Sequence, residues 1–130
     1  AGEKHMRKVI KIILIIVATI FVILGIFISC YIYITTIKVT NVSEYTNPTN
    51  KYTILFQAVG EPEWPFGKTK VKITLLDDNK KEIESFTYHI SDDGAMAREE
   101  NIDVKWFENY VEVTLSGSEQ DDDIYKMYFN

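Results

Sequence analysis

The chain has 130 residues, with 14 Lys+Arg, 19 Asp+Glu, two His and one Cys. That length leaves room for one small domain beside a targeting segment; a single Cys excludes an internal disulfide framework, and two His with one Cys make no zinc finger or ribbon. A formal charge of −5 argues against a nucleic-acid binder, which presents a basic face.

Met6-Arg7-Lys8 reads as a native start, and Ala1 to His5 (residues 1–5) as a remnant ahead of it, outside functional reasoning. From Ile12 to Ile37, 26 residues, there is no Asp, Glu, Lys or Arg. Residues 1–37 carry a net +3, whereas Lys38 onward holds 10 Lys+Arg against 18 Asp+Glu, a net −8. Composition and charge sign both switch at Lys38. The apolar run has no polar stripe, which excludes an amphipathic surface helix. It predicts a transmembrane helix in an anchor of residues 6–37, with its core at 12–34. At about 1.5 Å per residue that core spans about 35 Å, against a hydrocarbon layer of roughly 30 Å.

Arg7, Lys8 and Lys11 precede the run and only Lys38 follows it closely. The excess of cations on the N-terminal flank places that flank in the cytoplasm and the acidic domain outside, with Tyr31 and Tyr33 at the outer interface. Phe27-Ile28-Ser29-Cys30 resembles a bacterial lipoprotein signal, which would make Cys30 a lipidation site. That family prefers Leu where Phe27 stands and turns polar after the Cys, where this chain continues Tyr31-Ile32-Tyr33-Ile34. A retained anchor is therefore the expectation, and the domain is tethered outside on either reading. Gly25 reads as an isolated glycine on a lipid-facing helix, since no Gly-x-x-x-Gly pair accompanies it.

Residues 38–50, rich in Thr and Asn, read as a stalk that pairs partly as a strand near Ile37 to Val42. Asn41-Val42-Ser43 fits the glycosylation sequon, a triplet common by chance. From Lys51 the period becomes two, and residues 51–130 read as a β domain. Lys51 to Val59 is β-branched and aromatic and stops at Gly60. Lys68 to Leu76 alternates, with Val71, Ile73 and Leu75 on one face and Lys70, Lys72 and Thr74 toward water. Asp77 to Lys80 is a turn. Glu82 to Ile90 puts Phe86, Tyr88 and Ile90 on one face; Ile83 breaks the phase and predicts a bulge or a late start. Ser91 to Gly94 is a turn, and Ala95 to Glu100 is long enough for one helical turn only. Ile102, Val104 and Trp106 alternate, Phe107 to Tyr110 connects, and Val111, Val113 and Leu115 alternate again. Glu119 to Asp123 reads as a charged loop before a last strand at Ile124 to Phe129.

About six strands with short connections predict an antiparallel meander, sandwich-like or as a curled sheet. No helical pattern separates the strands, which excludes βαβ nucleotide-binding folds. A core of this size must rely on aromatics, and 13 of the 17 lie after residue 44.

Catalytic groups are scarce. Nucleophilic catalysis needs a nucleophile with a base, and the domain offers one His, His89, out of phase with the buried face, and no Cys. No metal site is expected: Asp92-Asp93 and Asp121-Asp122-Asp123 lack calcium-loop spacing and read as solvated turn acids. Lys68, Lys70 and Lys72 read as a solvated or edge-strand face. No catalytic residue and no cofactor are expected. The segment Gly60-Glu61-Pro62-Glu63-Trp64-Pro65-Phe66-Gly67 stands out. Prolines stiffen it, and a rigid aromatic loop loses little entropy on binding. Glu61, Trp64 and Phe66 are the candidate partner contacts; the alternative is that Trp64 and Phe66 fold back to cap the core.

The layout of Met6 to Lys8, an Ile-rich span at Ile12 to Ile34, and a β domain from Lys51 to Phe129 resembles small single-pass membrane proteins of low-GC Gram-positive bacteria. Some immunity proteins that guard the outer membrane face against secreted toxins share it. The resemblance implies a role and no particular residues. The expected function is a non-enzymatic, membrane-tethered module whose partners are the bilayer and a protein outside the cytoplasm. The alternatives are an accessory subunit of a membrane complex and a surface enzyme with a carboxylate site.

Overall fold

An apolar helix and a two-sheet β domain make up the computed structural model, which describes residues 2–49 and 51–129. Ala1, Asn50 and Asn130, at the margins of the expected tail, stalk and domain, lie outside the described residues. The chain divides into two units at Ile34/Thr35, slightly before the composition switch at Lys38.

Helix α1 (Gly2–Ile32) lies in the first unit, and a π-helical turn at Tyr33–Ile37 follows it across the boundary. The 36-residue helical segment is long and apolar enough to cross a membrane, and its apolar window is not buried within the protein. Two of its hydroxyls are satisfied along the helix. Thr19 Oγ1 donates to the Ile15 carbonyl and Ser29 Oγ to the Gly25 carbonyl, both at 2.8 Å. Such back-bonding removes the need for an outside partner where water is absent.

Among its described residues the second unit holds seven antiparallel strands. Sheet A has the order β1 (Val39–Thr46), β2 (Thr53–Val59), β3 (Thr69–Leu76), β4 (Glu82–Ile90). Sheet B has the order β5 (Ile102–Trp106), β6 (Tyr110–Gly117), β7 (Gln120–Tyr128). The meander is as expected, with one more strand than the sequence suggests. Alternating residues aim inward from both sheets into one core. Ile54, Phe56, Val71, Ile73, Leu75 and Ile90 come from sheet A, and Val111, Val113, Leu115 and Met127 from sheet B. Full burial of one such side chain stabilises by about 1.5–3 kcal/mol.

Four expectations need correcting. The pairing expected near Ile37 to Val42 runs farther than the stalk reading allowed: strand β1 continues to Thr46 and pairs with β2, bulging once between Asn41 and Ser43. Asn47 then makes the turn, its Oδ1 accepting the Lys51 N–H at 2.9 Å and the Thr49 hydroxyl at 3.1 Å. The acids after Glu119 are not a loop. Residues Ser118 and Glu119 form the turn, and Asp121, Asp122 and Asp123 belong to edge strand β7. Acidic side chains there discourage pairing with another chain. The lysine-bearing strand β3 is central, not an edge. On its outer face Thr74 is 5% exposed rather than solvated, with Leu55 and Ser85 as register partners. Ile83 is the unpaired residue of a bulge opposite Leu75 and Leu76, as its phase implied.

Because the strands alternate in direction, every connection falls at one of two ends. The root end receives the chain at Thr35 to Lys38 and holds residues 60–68, 91–101 and 117–120. The far end holds the turns after β1, β3 and β5, together with Phe129. A strand of eight residues separates the ends by about 25 Å.

Candidate functional site

The loop after β2 is built by main-chain bonds. Gly60 N–H donates to the Lys38 carbonyl at 2.8 Å and Glu61 N–H to the Thr35 carbonyl at 2.9 Å. Gly60 takes φ +69°, and a Cβ there would stand 2.2 Å from the Thr35 carbonyl oxygen, so only glycine allows this approach. Farther along, Glu63 N–H donates to Lys68 O and Gly67 N–H to Glu63 O. These bonds present the turn Trp64-Pro65-Phe66, whose Trp64-Pro65 peptide is cis, outward. Trp64 is 90% exposed and Phe66 72%, so neither caps the core. Glu61 is exposed beside them, and Met96 flanks the same shallow groove. The loop singled out by sequence is therefore a fixed, outward aromatic surface at the root end.

A second aromatic surface lies at the far end and drew no notice in the sequence. A cleft of about 430 Å³ is lined by Pro48, Lys51, Tyr52, Trp106, Phe107 and Phe129, among others. Tyr52 stacks on Phe129 with centroids 4.2 Å apart and donates its hydroxyl to the Phe129 carbonyl at 3.2 Å. Trp106 packs tilted against Phe129, with centroids 6.1 Å apart. These rings seal the core at this end. Phe107, stacked on Tyr110 at 4.7 Å, stays exposed at the rim. The adjacent pair Trp106-Phe107 was the available signal. Neighbouring residues at a strand end point to opposite sides, so both rings cannot enter one core.

Asp92 is not a solvated turn acid. It is 5% exposed, and its carboxylate accepts from Ser118 N–H (2.9 Å), Arg98 Nη2 (3.1 Å) and Asn101 Nδ2 (3.2 Å). The Ser118 amide, then the Asn101 amide and the Arg98 charge, hold its pKa below the usual carboxylate range against the opposing effect of burial. Asn101 also donates to the Ser116 carbonyl at 2.9 Å. The result is a clasp between the loop leaving sheet A and the β6–β7 hairpin of sheet B. Asp93 is exposed.

A second link joins the sheets through Tyr88. Its hydroxyl donates to Asp123 Oδ2 and accepts from Gln120 Nε2 at 2.8 Å. Burial and the Asp123 carboxylate push the Tyr88 pKa up to about 12. His89 is exposed on the outer face of β4, as its phase implied. Cys30 lies exposed near the end of α1 with a free thiol. Among the described residues no three of His, Cys, Asp and Glu converge as a metal would require. No family model, curated protein or solved structure matches this chain.

Proposed function

We propose that this chain is a single-pass membrane protein that holds a non-enzymatic binding module outside the cytoplasm, where the module contacts a protein partner. The observation that carries the tether is α1. From Ile12 onward its circumference is apolar and none of the described residues buries it, so its stable surroundings are hydrocarbon. Arg7, Lys8 and Lys11 on one flank against Lys38 on the other support a cytoplasmic N-terminus. The partner reading draws on the far-end cleft. It is concave, rigid and aromatic, with Phe107 exposed at its rim, and aromatic anchors dominate protein interfaces. It lies at the end of the domain away from Thr35, where the chain arrives from the helix. An immunity protein that intercepts a secreted toxin is the sharpest form of this reading, and an accessory subunit of a larger membrane complex is another.

The test uses the full chain in its own membranes. A photo-crosslinking side chain is placed at Phe107 or, for comparison, at Lys72 on the outer face of sheet A. The expected result is one discrete, stoichiometric protein adduct from position 107 and none from 72. Equal patterns from both positions would remove the cleft as the partner surface.

A further inference from the structure

We infer that the loop of residues 61–67 is a second membrane contact, with Trp64 and Phe66 seated at the headgroup–acyl boundary of the leaflet from which the helix emerges. This rests on the tether reading above. Three observations point to lipid rather than to a protein partner.

The first is place. The Glu61 amide bonds to the carbonyl of Thr35, the residue that follows the anchor core. Trp64 comes three residues later, which limits it to about 15 Å from that carbonyl along the backbone. The loop root is thus fixed to the point where the chain leaves the hydrocarbon, whatever the tilt of the helix. The second is chemistry. Trp64 and Phe66 are more exposed than any other large apolar side chain of the β domain, and Met96, 60% exposed, lines the same groove. Indole rings favour the membrane interface because an apolar body and an N–H can each find their medium there. The third is rigidity. The loop is held by four main-chain hydrogen bonds, so partitioning orders little chain.

Charge sets the kind of surface. Glu61 and Glu63 flank the aromatic tip, so an anionic leaflet repels it and a zwitterionic one does not. The contact steadies the domain on the bilayer, while the far-end cleft stays about 25 Å from the root end.

The two tryptophans allow a test with an internal control, since Trp64 lies at the root end and Trp106 at the far end. Full-length chain is placed in phosphatidylcholine vesicles whose acyl chains are brominated near the headgroup. The Trp106→Phe chain reports Trp64 alone and the Trp64→Phe chain reports Trp106 alone. If Trp106→Phe disturbs folding, the difference between wild type and Trp64→Phe gives the same quantity. At an interfacial depth of about 5–10 Å, Trp64 should lose roughly half its emission and shift to the blue, with Trp106 unaffected. Adding anionic phosphatidylglycerol should weaken the quenching. Unquenched, water-like Trp64 emission in a chain that floats with the vesicles overturns the lipid contact, leaves the tether standing and returns the loop to a protein partner. Equal quenching of both tryptophans also overturns it. A chain that does not float with vesicles removes the tether itself, and the lipid contact with it.

Discussion

At the scale of single residues, Asp92 ties the loop leaving sheet A to the β6–β7 hairpin of sheet B. Replacing it with Ala leaves the Ser118 amide without its acceptor and one of the two Asn101 Nδ2 hydrogens unpaired, the other still donating to the Ser116 carbonyl, in a site that is nearly dry. Each such orphan costs about 1–3 kcal/mol, so Asp92→Ala should destabilise the domain by roughly 2–4 kcal/mol. For a domain of this size that lowers the melting temperature by about 10–20 °C, as read by calorimetry on the detergent-solubilised chain. The same bonds give a pH dependence. The folded pKa of Asp92 is depressed, so its contribution is complete above the unfolded value near 4 and is lost as the pH falls below it. The variant should therefore lack the part of the acid transition that wild type shows below about pH 4. Thr69 and Thr74 work in the opposite sense. Both hydroxyls are buried with no hydrogen-bond partner. Thr69→Val and Thr74→Val remove that penalty at nearly constant shape, and each should stabilise by about 1 kcal/mol. A lower melting temperature for both would mean that the hydroxyls are satisfied in solution.

At the scale of elements, the hairpin of β6 and β7 shows what sequence could and could not give. Strands β3 and β6 alternate cleanly, and their inward residues are those the pattern names. The first half of β7 is poor in β-formers, and its Asp run reads as loop on local grounds; in β1, Asn41, Ser43 and Glu44 interrupt the β-formers Val39, Val42 and Tyr45. Pairing overrides propensity there: each is an edge strand held by one neighbour, with its polar residues toward solvent. The aromatic loop was legible because its prolines and rings are adjacent in sequence. The Asp92 clasp was not, because Ser118 lies 26 positions away. Gly117 belongs to the same junction. A Cβ there would stand 2.3 Å from the Ser91 carbonyl oxygen, too close without moving backbone. Gly117→Ala should therefore cost about 1–3 kcal/mol, the usual range for overpacking, in the same melting experiment. The Tyr88 link predicts a limit at the alkaline side. Its folded pKa is raised from 10.0 to about 12, so its contribution is complete below pH 10 and lost as the pH rises toward 12. The comparison is between wild type and Tyr88→Phe, which isolates this hydroxyl. The stability difference should shrink between pH 10 and 12, and a constant difference would exclude Tyr88 as the titrating group.

At the scale of the whole molecule, topology decides what the domain can meet, and a handful of cations decides topology. The β domain carries a net −8, and acidic residues have little influence on insertion. On the proposed single-pass reading, orientation rests on Arg7, Lys8 and Lys11 outweighing Lys38. In intact cells, protease added outside should degrade the domain and leave the anchor. Changing the three N-terminal cations to Gln removes the asymmetry and leaves Lys4 against Lys38. A measurable share of chains should then insert the other way, with their domains protected until the cells are opened. Retention is a separate property of the apolar run. Ile20→Lys with Ile23→Lys places two ammonium groups near the helix centre, each costing about 2.5–3.5 kcal/mol on insertion scales. That double variant should leave the membrane fraction while its β domain melts as in wild type, because no core residue belongs to the helix. A wild-type domain shielded from external protease would reverse the orientation and move the partner into the cytoplasm. A double variant that still sediments with membranes would show that something other than α1 holds the protein there.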